Sequence, residues 1–178
     1  MNLRRFSFAD RSLGVSAVAS AALLAGAHAF EAAGYAPCEL CLDQREPHWV
    51  AVALATAGLG VSIVARAPRA AAAALGAVAL VYAVSAGLAF YHTGVEWGFW
   101  PGPSTCGGPA PDAVASADLT AALAAGPSGP SCSDAAWRLF GVSMAGYNML
   151  ASLGLFVVCL VAALAVARDA EMAAGAVA

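Results

Sequence analysis

Four long apolar runs, separated by polar breaks of very different lengths, dominate the pattern of the chain. The runs cover residues 13–30, 47–65, 70–91 and 143–167, and the first has 18 residues. As a helix that run is about 27 Å long, enough to cross the hydrocarbon core of a bilayer. Backbone polar groups cannot stay unpaired in hydrocarbon, so these runs have to be helical. The pattern predicts an all-α membrane protein, a four-transmembrane-helix bundle, with polar loops at about residues 31–46 and 92–142.

The composition supports a membrane environment. The chain is 61% hydrophobic and 11% charged, with a mean hydropathy of +0.76, whereas a soluble domain carries about 25% charged residues. We therefore expect a single integral membrane domain over residues 1–178, in contact with lipid. The net charge is −3 and there is no lysine, so no basic patch is available for a nucleic-acid partner.

The distribution of arginine predicts the orientation in the membrane. Two of the eight basic residues, Arg45 and Arg138, lie on one predicted side, and six lie on the other. The six are Arg4, Arg5, Arg11, Arg66, Arg69 and Arg168. Because cytoplasmic segments carry the excess of positive charge, we expect both termini in the cytoplasm. Both polar loops then lie on the outer side of the membrane.

The first apolar run has an alternative interpretation. Its arginine-rich start and the Ala27-His28-Ala29 stretch imitate a cleavable signal peptide. The run is longer than the usual hydrophobic region of about 7–15 residues, which favours a retained helix. N-terminal sequencing of the mature protein would decide, since a start at Phe30 removes one helix from the bundle.

Proline and glycine interrupt regular structure in the second polar loop. Six of the nine prolines fall there: Pro101, Pro103, Pro109, Pro111, Pro127 and Pro130. We expect an irregular segment with one short helix at residues 112–125, where Asp112 can cap the start and Leu119 and Leu123 share a face. This helix would lie on the membrane surface.

Aromatic side chains mark the outer ends of the predicted helices. The four tryptophans are Trp49, Trp97, Trp100 and Trp137. They are typical of an interfacial aromatic belt, and the alternative is that some of them line the pocket of a ring-shaped ligand. We interpret His28 and His48 as interfacial as well.

The cysteines carry the candidate chemistry. Cys38 and Cys41 form a Cys-x-x-Cys pair in the first loop, and Cys106 and Cys132 lie in the second. An even set on one side of a membrane indicates an oxidising compartment. A Cys-x-x-Cys pair cycles between dithiol and disulfide with little backbone motion, and Arg45 nearby favours the reactive thiolate. Cys159 lies inside an apolar run, as a small buried hydrophobe does.

Cys106 and Cys132 leave alternatives open. If they are joined, the disulfide closes a flexible loop and contributes about 3–4 kcal/mol on an entropic estimate. That bond is either a redox-active pair or a structural staple. We expect Gly107-Gly108 beside Cys106 to keep that sulfur accessible, which favours the former. A four-cysteine zinc site is disfavoured because structural zinc uses two closely spaced pairs, so we expect no metal.

The combination of motifs resembles a known family. A Pro-Cys-x-x-Cys-x-x-x-Arg stretch at residues 37–45, followed by two separated cysteines in a proline-rich outer loop, is similar to the DsbB family of bacterial disulfide-bond formation proteins. Residues 89–93, 101–106 and 136–141 add to the likeness, which covers nearly the whole chain. Vitamin K epoxide reductase relatives perform related chemistry, but their Cys-x-x-Cys lies in a later helix. Gln44 stands where the family can have an acidic residue.

The resemblance implies a route for electrons. A periplasmic DsbA-like carrier would attack a Cys106–Cys132 disulfide at Cys106, and Cys132 would then attack Cys38. Cys41 would pass the electrons to a membrane quinone, ubiquinone or menaquinone, which Arg45 would help to bind. These four cysteines are the implied catalytic residues. A non-catalytic membrane protein with structural disulfides is the alternative function.

Two residues beside the cysteines are candidates for binding the quinone. His92 can hydrogen-bond a quinone oxygen or relay a proton, or it is a satisfied interfacial histidine. Arg45 either acts at the site or merely reaches towards the interface. If residues 41–45 are helical, Cys41 and Arg45 share a face. If the helix begins at Pro47 instead, Cys41 lies in the preceding loop.

Overall fold

The computed structural model describes residues 7–104, 106 and 130–176. Four long helices form the molecule: α1 (Phe8–Ala32), α3 (Arg45–Ala65), α4 (Pro68–Glu96) and α5 (Met144–Gly175). A short helix α2 (Glu39–Asp43) precedes α3, and an antiparallel hairpin of β1 (Arg138–Leu139) and β2 (Val142–Ser143) precedes α5. Within the described residues, these four long helices have the length and hydropathy to cross a membrane. The predicted four-helix membrane bundle is confirmed, and the expected helix at residues 112–125 lies outside the described residues.

The helices extend beyond the apolar runs because capping, rather than hydropathy, decides where they end. Helix α1 begins at Phe8, where Ser7 and Asp10 exchange backbone and side-chain hydrogen bonds of 2.9 and 3.1 Å in a capping box. Helix α3 ends where Arg66 adopts a left-handed conformation with φ 50°. Helix α4 continues to Glu96, so His92 lies inside a helix rather than at the start of the predicted loop.

Small residues let the helices pack closely. The core contains Leu13, Leu75, Val78 and Tyr82, together with several alanines from α3, α4 and α5. A Cβ at Gly58 would lie 2.6 Å from that of Ala74, so α3 and α4 are in close contact there. Since lipid is as apolar as the core, such packing and interhelical hydrogen bonds hold membrane helices together.

Polar side chains connect the helices within this core. Ser85 and Ser152 join α4 to α5 with Oγ atoms 2.9 Å apart. Ser16 on α1 lies 3.0 Å from the Cys159 sulfur, and Cys159 is fully buried, as predicted. Large apolar side chains such as Val18 and Leu80 are instead exposed on the outer faces of the helices, where a membrane protein contacts lipid.

Both connecting regions meet at one end of the bundle. Arg45 at the start of α3 is paired with Glu31 near the end of α1. The Phe30 ring lies 5.2 Å from the ring of Trp137, which precedes the hairpin. The hairpin closes with a two-residue turn in which Phe140 and Gly141 both have positive φ, the geometry that matches the twist of paired strands. This end of the molecule holds the candidate site.

Candidate functional site

The two cysteine pairs lie in one buried cluster. Cys38 and Cys132 are 5% and 1% exposed, and both pack with Leu40 and Val95. Partly buried Cys41, Cys106 and Trp100 complete the cluster. A disulfide joins Cys106 to Cys132, with their Cα atoms 5.5 Å apart, whereas Cys38 and Cys41 are free. The fold therefore brings together two sulfur couples that are far apart in sequence.

Helix α2 sets the geometry of the first pair. Cys38 is its N-cap, and the Cys38 sulfur accepts a hydrogen bond from the Cys41 backbone N–H at 3.3 Å. The two sulfurs are 2.7 Å apart. The hydrogen bond that the Cys38 thiol donates to the Cys41 sulfur, together with burial, raises the pKa of Cys38. When the reduced pair shares one proton, Cys38 keeps it and the negative charge rests on Cys41.

Arg45 lies close enough to act on that charge. Its guanidinium interacts electrostatically with Cys41, and its Nη1 donates to Glu31 Oε2 at 2.7 Å. Among the described residues no group hydrogen-bonds its buried Nε. Cys41 lies in α2 and Arg45 begins α3, so the two are not on one continuous helix. Pro47 lies within the first turn of α3 rather than at its first position. Cys41 and Arg45 are nevertheless close to each other.

His92 faces the same pair from α4. Its side chain is 3% exposed, and its Nε2 lies 3.6 Å from the Cys38 sulfur and 3.8 Å from Glu96 Oε1. Its Nδ1 lies 2.7 Å from Gln44 Nε2. One ring nitrogen is thus held by a neighbouring amide, while the other points at the reactive centre.

The interpretation of His48 as interfacial is wrong. The residue is 3% exposed, and its Nε2 contacts Asn148 Oδ1 at 2.8 Å while its Nδ1 contacts Ser20 Oγ at 3.2 Å. Polar partners from two other helices compensate for its burial. His48 lies near the start of its apolar run, which is typical of an interfacial residue, but the pattern does not indicate which face of α3 is internal.

Sequence reasoning also missed Gln44, Glu96 and Asn148. Gln44 is buried, and the Glu96 side chain is 5% exposed. One signal was present: a polar or ionisable residue within a membrane helix indicates a functional site by default. Glu96 follows His92 by one helical turn, and Asn148 interrupts an apolar run.

A cavity of about 640 Å³ opens beside the first cysteine pair. Its polar lining includes Cys41, Arg45, His92 and Glu96, and apolar residues of α1 such as Leu23 and Ala27 form much of its wall. Two buried polar atoms at this cavity, Arg45 Nε and Glu96 Oε2, lack a hydrogen-bond partner among the described residues. An apolar cavity of this size with a few convergent polar groups is typical of a small-molecule site.

The ligand atoms of Cys38, Cys41 and His92 lie within 4.8 Å of one another. Two thiolates on one tetrahedral zinc, with Zn–S bonds of about 2.3 Å, would be about 3.8 Å apart. The sulfurs here are 2.7 Å apart. The spacing fits a dithiol that closes into a disulfide better than it fits a metal site.

Comparison with known proteins agrees with this chemistry. The family model of the disulfide bond formation protein DsbB matches residues 9–162, which include both cysteine pairs, Arg45 and His92. The chain belongs to the DsbB family. No curated protein and no solved structure matches it significantly. Membership of the DsbB family makes the chain a membrane oxidoreductase that forms disulfide bonds.

Proposed function

We propose that this protein reoxidises a DsbA-like, thioredoxin-fold dithiol carrier in the periplasm and transfers the electrons to a membrane quinone. The observation that carries the proposal is the contact between the two cysteine pairs, beside a cavity with unsatisfied polar groups. The arginine distribution supports a periplasmic location for this end of the bundle, in the inner membrane.

The first exchange takes place at Cys106. A carrier thiolate attacks this sulfur, forms a mixed disulfide with it and releases Cys132 as a thiolate. Burial supports this order, since Cys132 is 1% exposed whereas Cys106 is only partly buried. Exchange requires an accessible sulfur, and the attacked sulfur decides which thiol leaves.

The second exchange moves the electrons inwards. The Cys132 thiolate attacks Cys38 of a Cys38–Cys41 disulfide, and Cys41 leaves as a thiolate. The second carrier thiol then attacks the carrier sulfur that is bound to Cys106, which forms the carrier's own disulfide and releases Cys106 as a thiolate. Cys106 next attacks Cys132, which restores the outer disulfide and releases Cys38. Each step breaks one S–S bond and forms one, and two electrons reach the inner pair. The described state, with an outer disulfide and an inner dithiol, is the product of this sequence.

The residues around the cavity fit a quinone head group. The chemistry that a bound quinone supplies is the acceptance of two electrons and two protons. Arg45 would hold it, with His92 beside it in the cavity lining, because the Arg45 Nε lacks a partner among the described residues and a quinone oxygen accepts hydrogen bonds. The apolar wall from α1 suits the ring. Cys41, on which the charge of the reduced pair rests, supplies the electrons as the Cys38–Cys41 disulfide re-forms.

The test is quinone reduction by the purified protein supplied with a reduced thioredoxin-like dithiol donor. We expect ubiquinone or menaquinone to be reduced, and Cys41→Ser and Cys106→Ser to abolish turnover. Cys159→Ser is the matched control, since that sulfur lies away from both pairs. Wild-type turnover in both variants would show that the cysteines are structural.

The position of the first attack can be tested separately. A reduced carrier that lacks its second cysteine can attack the Cys106–Cys132 disulfide but cannot resolve the product, so it should remain attached to Cys106 as a mixed disulfide that peptide mapping identifies. Capture at Cys38 or Cys41 would contradict the proposed order.

The role of Arg45 is tested by Arg45→Ala. We expect the KM for quinone to rise about tenfold, the effect of losing one hydrogen bond from a charged donor. Reduction of the inner pair by the carrier should change much less. An unchanged KM for quinone would remove Arg45 from the binding site.

A further inference from the structure

A chain of buried side-chain hydrogen bonds leads from His92 into the bundle. Gln44 Nε2 contacts both the Leu40 carbonyl at 3.0 Å and His92 Nδ1 at 2.7 Å. Gln44 Oε1 accepts from Asn148 Nδ2 at 2.9 Å, and Asn148 Oδ1 lies 2.8 Å from His48 Nε2. This series of hydrogen bonds connects α2, α3, α4 and α5. None of these contacts is needed for the sulfur exchange itself.

The direction of these hydrogen bonds is fixed at Leu40. A backbone carbonyl only accepts, so the group of Gln44 that faces it has to be the NH₂. A flipped amide would place Oε1 against the Leu40 oxygen, and would also place its NH₂ against the Asn148 NH₂. The contact with the Leu40 carbonyl therefore fixes the orientation of Gln44, and the Asn148 amide is compatible with that orientation.

The fixed amide determines which nitrogen of His92 carries a proton. Because Gln44 presents an N–H to Nδ1, Nδ1 has to accept, and a neutral imidazole then carries its proton on Nε2. A second proton on Nδ1 would face the Gln44 NH₂, donor against donor. The same contact therefore opposes formation of the imidazolium.

We propose that Gln44 is a positioning residue that holds His92 as the neutral Nε2–H tautomer, so that His92 donates a hydrogen bond to Cys38 and does not act as a base. The role of that donation rests on the proposed function. When Cys106 attacks Cys132, Cys38 leaves as a thiolate, and His92 Nε2 faces its sulfur at 3.6 Å. A hydrogen bond that strengthens as charge develops on the leaving sulfur speeds its release.

The ionisable groups around His92 affect whether its imidazole is neutral or protonated. Glu96 on α4 faces Nε2 at 3.8 Å, and a carboxylate there favours the imidazolium. Cys38 and Cys41 approach from the α2 side, and the backbone of Cys132 interacts with the imidazole by hydrogen bonding. Glu96 and Cys38 both face Nε2, whereas the Gln44 amide contacts Nδ1. The protonation of Nδ1 therefore reports on Gln44.

The test is nitrogen NMR of the histidine rings in full-length protein labelled with ¹⁵N-histidine. The shift of each ring nitrogen shows directly whether it carries a proton. The chain has three histidines, and a His92→Asn sample identifies the His92 signals. We expect Nδ1 unprotonated and Nε2 protonated throughout about pH 5–8. A protonated Nδ1 in the wild type near neutral pH would overturn the proposal.

Three variants separate the tautomer from a general structural effect. Gln44→Glu places an acceptor at Nδ1, so we expect Nδ1 to become protonated. Gln44→Met removes the donor without adding charge, and we expect a mixture of tautomers. Asn148→Ala keeps the contact with the Leu40 carbonyl, and the wild-type tautomer should persist. An Nδ1 that remains unprotonated in Gln44→Glu would also overturn the proposal.

Kinetics in the same variants test the role of the proton. Restoration of the outer disulfide after a single carrier oxidation should slow about tenfold in Gln44→Glu, the effect of losing one hydrogen bond to a developing charge. An unchanged rate despite a changed tautomer would refute the role assigned to His92. Failure of the wild type to reduce quinone would reject the proposed function and leave the NMR result unaffected, so the two failures are distinguishable.

Discussion

A single methyl group at Gly94 should separate the two cysteine pairs. Gly94 lies on α4 directly under the Trp100 indole, and a Cβ there would lie 2.7 Å from Cη2 and closer to two other ring carbons. Carbon atoms in contact are about 3.5–4.0 Å apart, so the nearest ring carbon has to withdraw by about 1.5–2 Å. Trp100 is held by a 2.8 Å hydrogen bond to the Tyr91 carbonyl and packs in the cluster with both cysteine pairs.

The energetic effect follows from this overlap. Overpacking of this kind costs about 1–3 kcal/mol, and the displaced ring carries with it the segment that leads to Cys106. A misplacement of about 1 Å can reduce a reaction rate by up to about 10²-fold. We expect the transfer from the outer to the inner pair to slow about tenfold in Gly94→Ala.

The assay mixes oxidised protein with a reduced dithiol donor in the absence of quinone. Samples are quenched with acid, alkylated and mapped by mass spectrometry, which reports the redox state of each cysteine over time. Gly87→Ala is the matched control, because it lies on the same helix and nothing is within 4 Å of its Cβ. If a folded Gly94→Ala reduces its inner pair at the rate of Gly87→Ala, the packing of Trp100 does not set the contact between the pairs.

Further predictions concern the individual contacts of the site and the core. Because the pKa of Cys38 is raised by the Cys41 sulfur and by burial, mass spectrometry after limited alkylation of the inner dithiol should find the label at Cys41 first. Glu31→Gln removes the partner of Arg45 Nη1 and should raise the KM for quinone less than Arg45→Ala does. Tyr82→Phe removes the hydroxyl that contacts Ser20 Oγ at 2.8 Å, and thermal denaturation in detergent should show a loss of about 0.6–1.7 kcal/mol.

The sequence was sufficient to predict the bundle because the main physical signal is local. Each helix is apolar enough to span a membrane, and hydropathy summed over one run is enough to find it. Helix ends were less accurate, since Ser7 and Asp10 begin α1 through a capping box that lies outside the apolar run. The continuation of α4 to Glu96 likewise depends on backbone hydrogen bonding rather than on hydropathy.

The site was predictable only in part because its contacts are not local. Spacing identified the Cys-x-x-Cys pair, whose sulfurs meet within one turn of α2. The contact between Gln44 and Asn148 spans 104 residues, and no periodicity in either helix indicates it. The role of His48 depended on which face of α3 is internal. That face is set by packing against α1 and α4, which the sequence pattern of a uniformly apolar helix does not record.

The unequal burial of the cysteines favours one direction of electron transfer through the site. Cys106 is the more accessible sulfur of the outer pair, and Cys132 packs with Cys38 in the interior of the cluster. In the inner pair the charge of the reduced state rests on Cys41, on which Arg45 acts. A carrier that attacked Cys132 would first have to remove it from its contacts with Leu40 and Val95, at the cost of exposing that apolar surface. Entry at Cys106 requires no such opening, so burial alone favours the passage of electrons from the outer pair to the inner pair and on to the cavity.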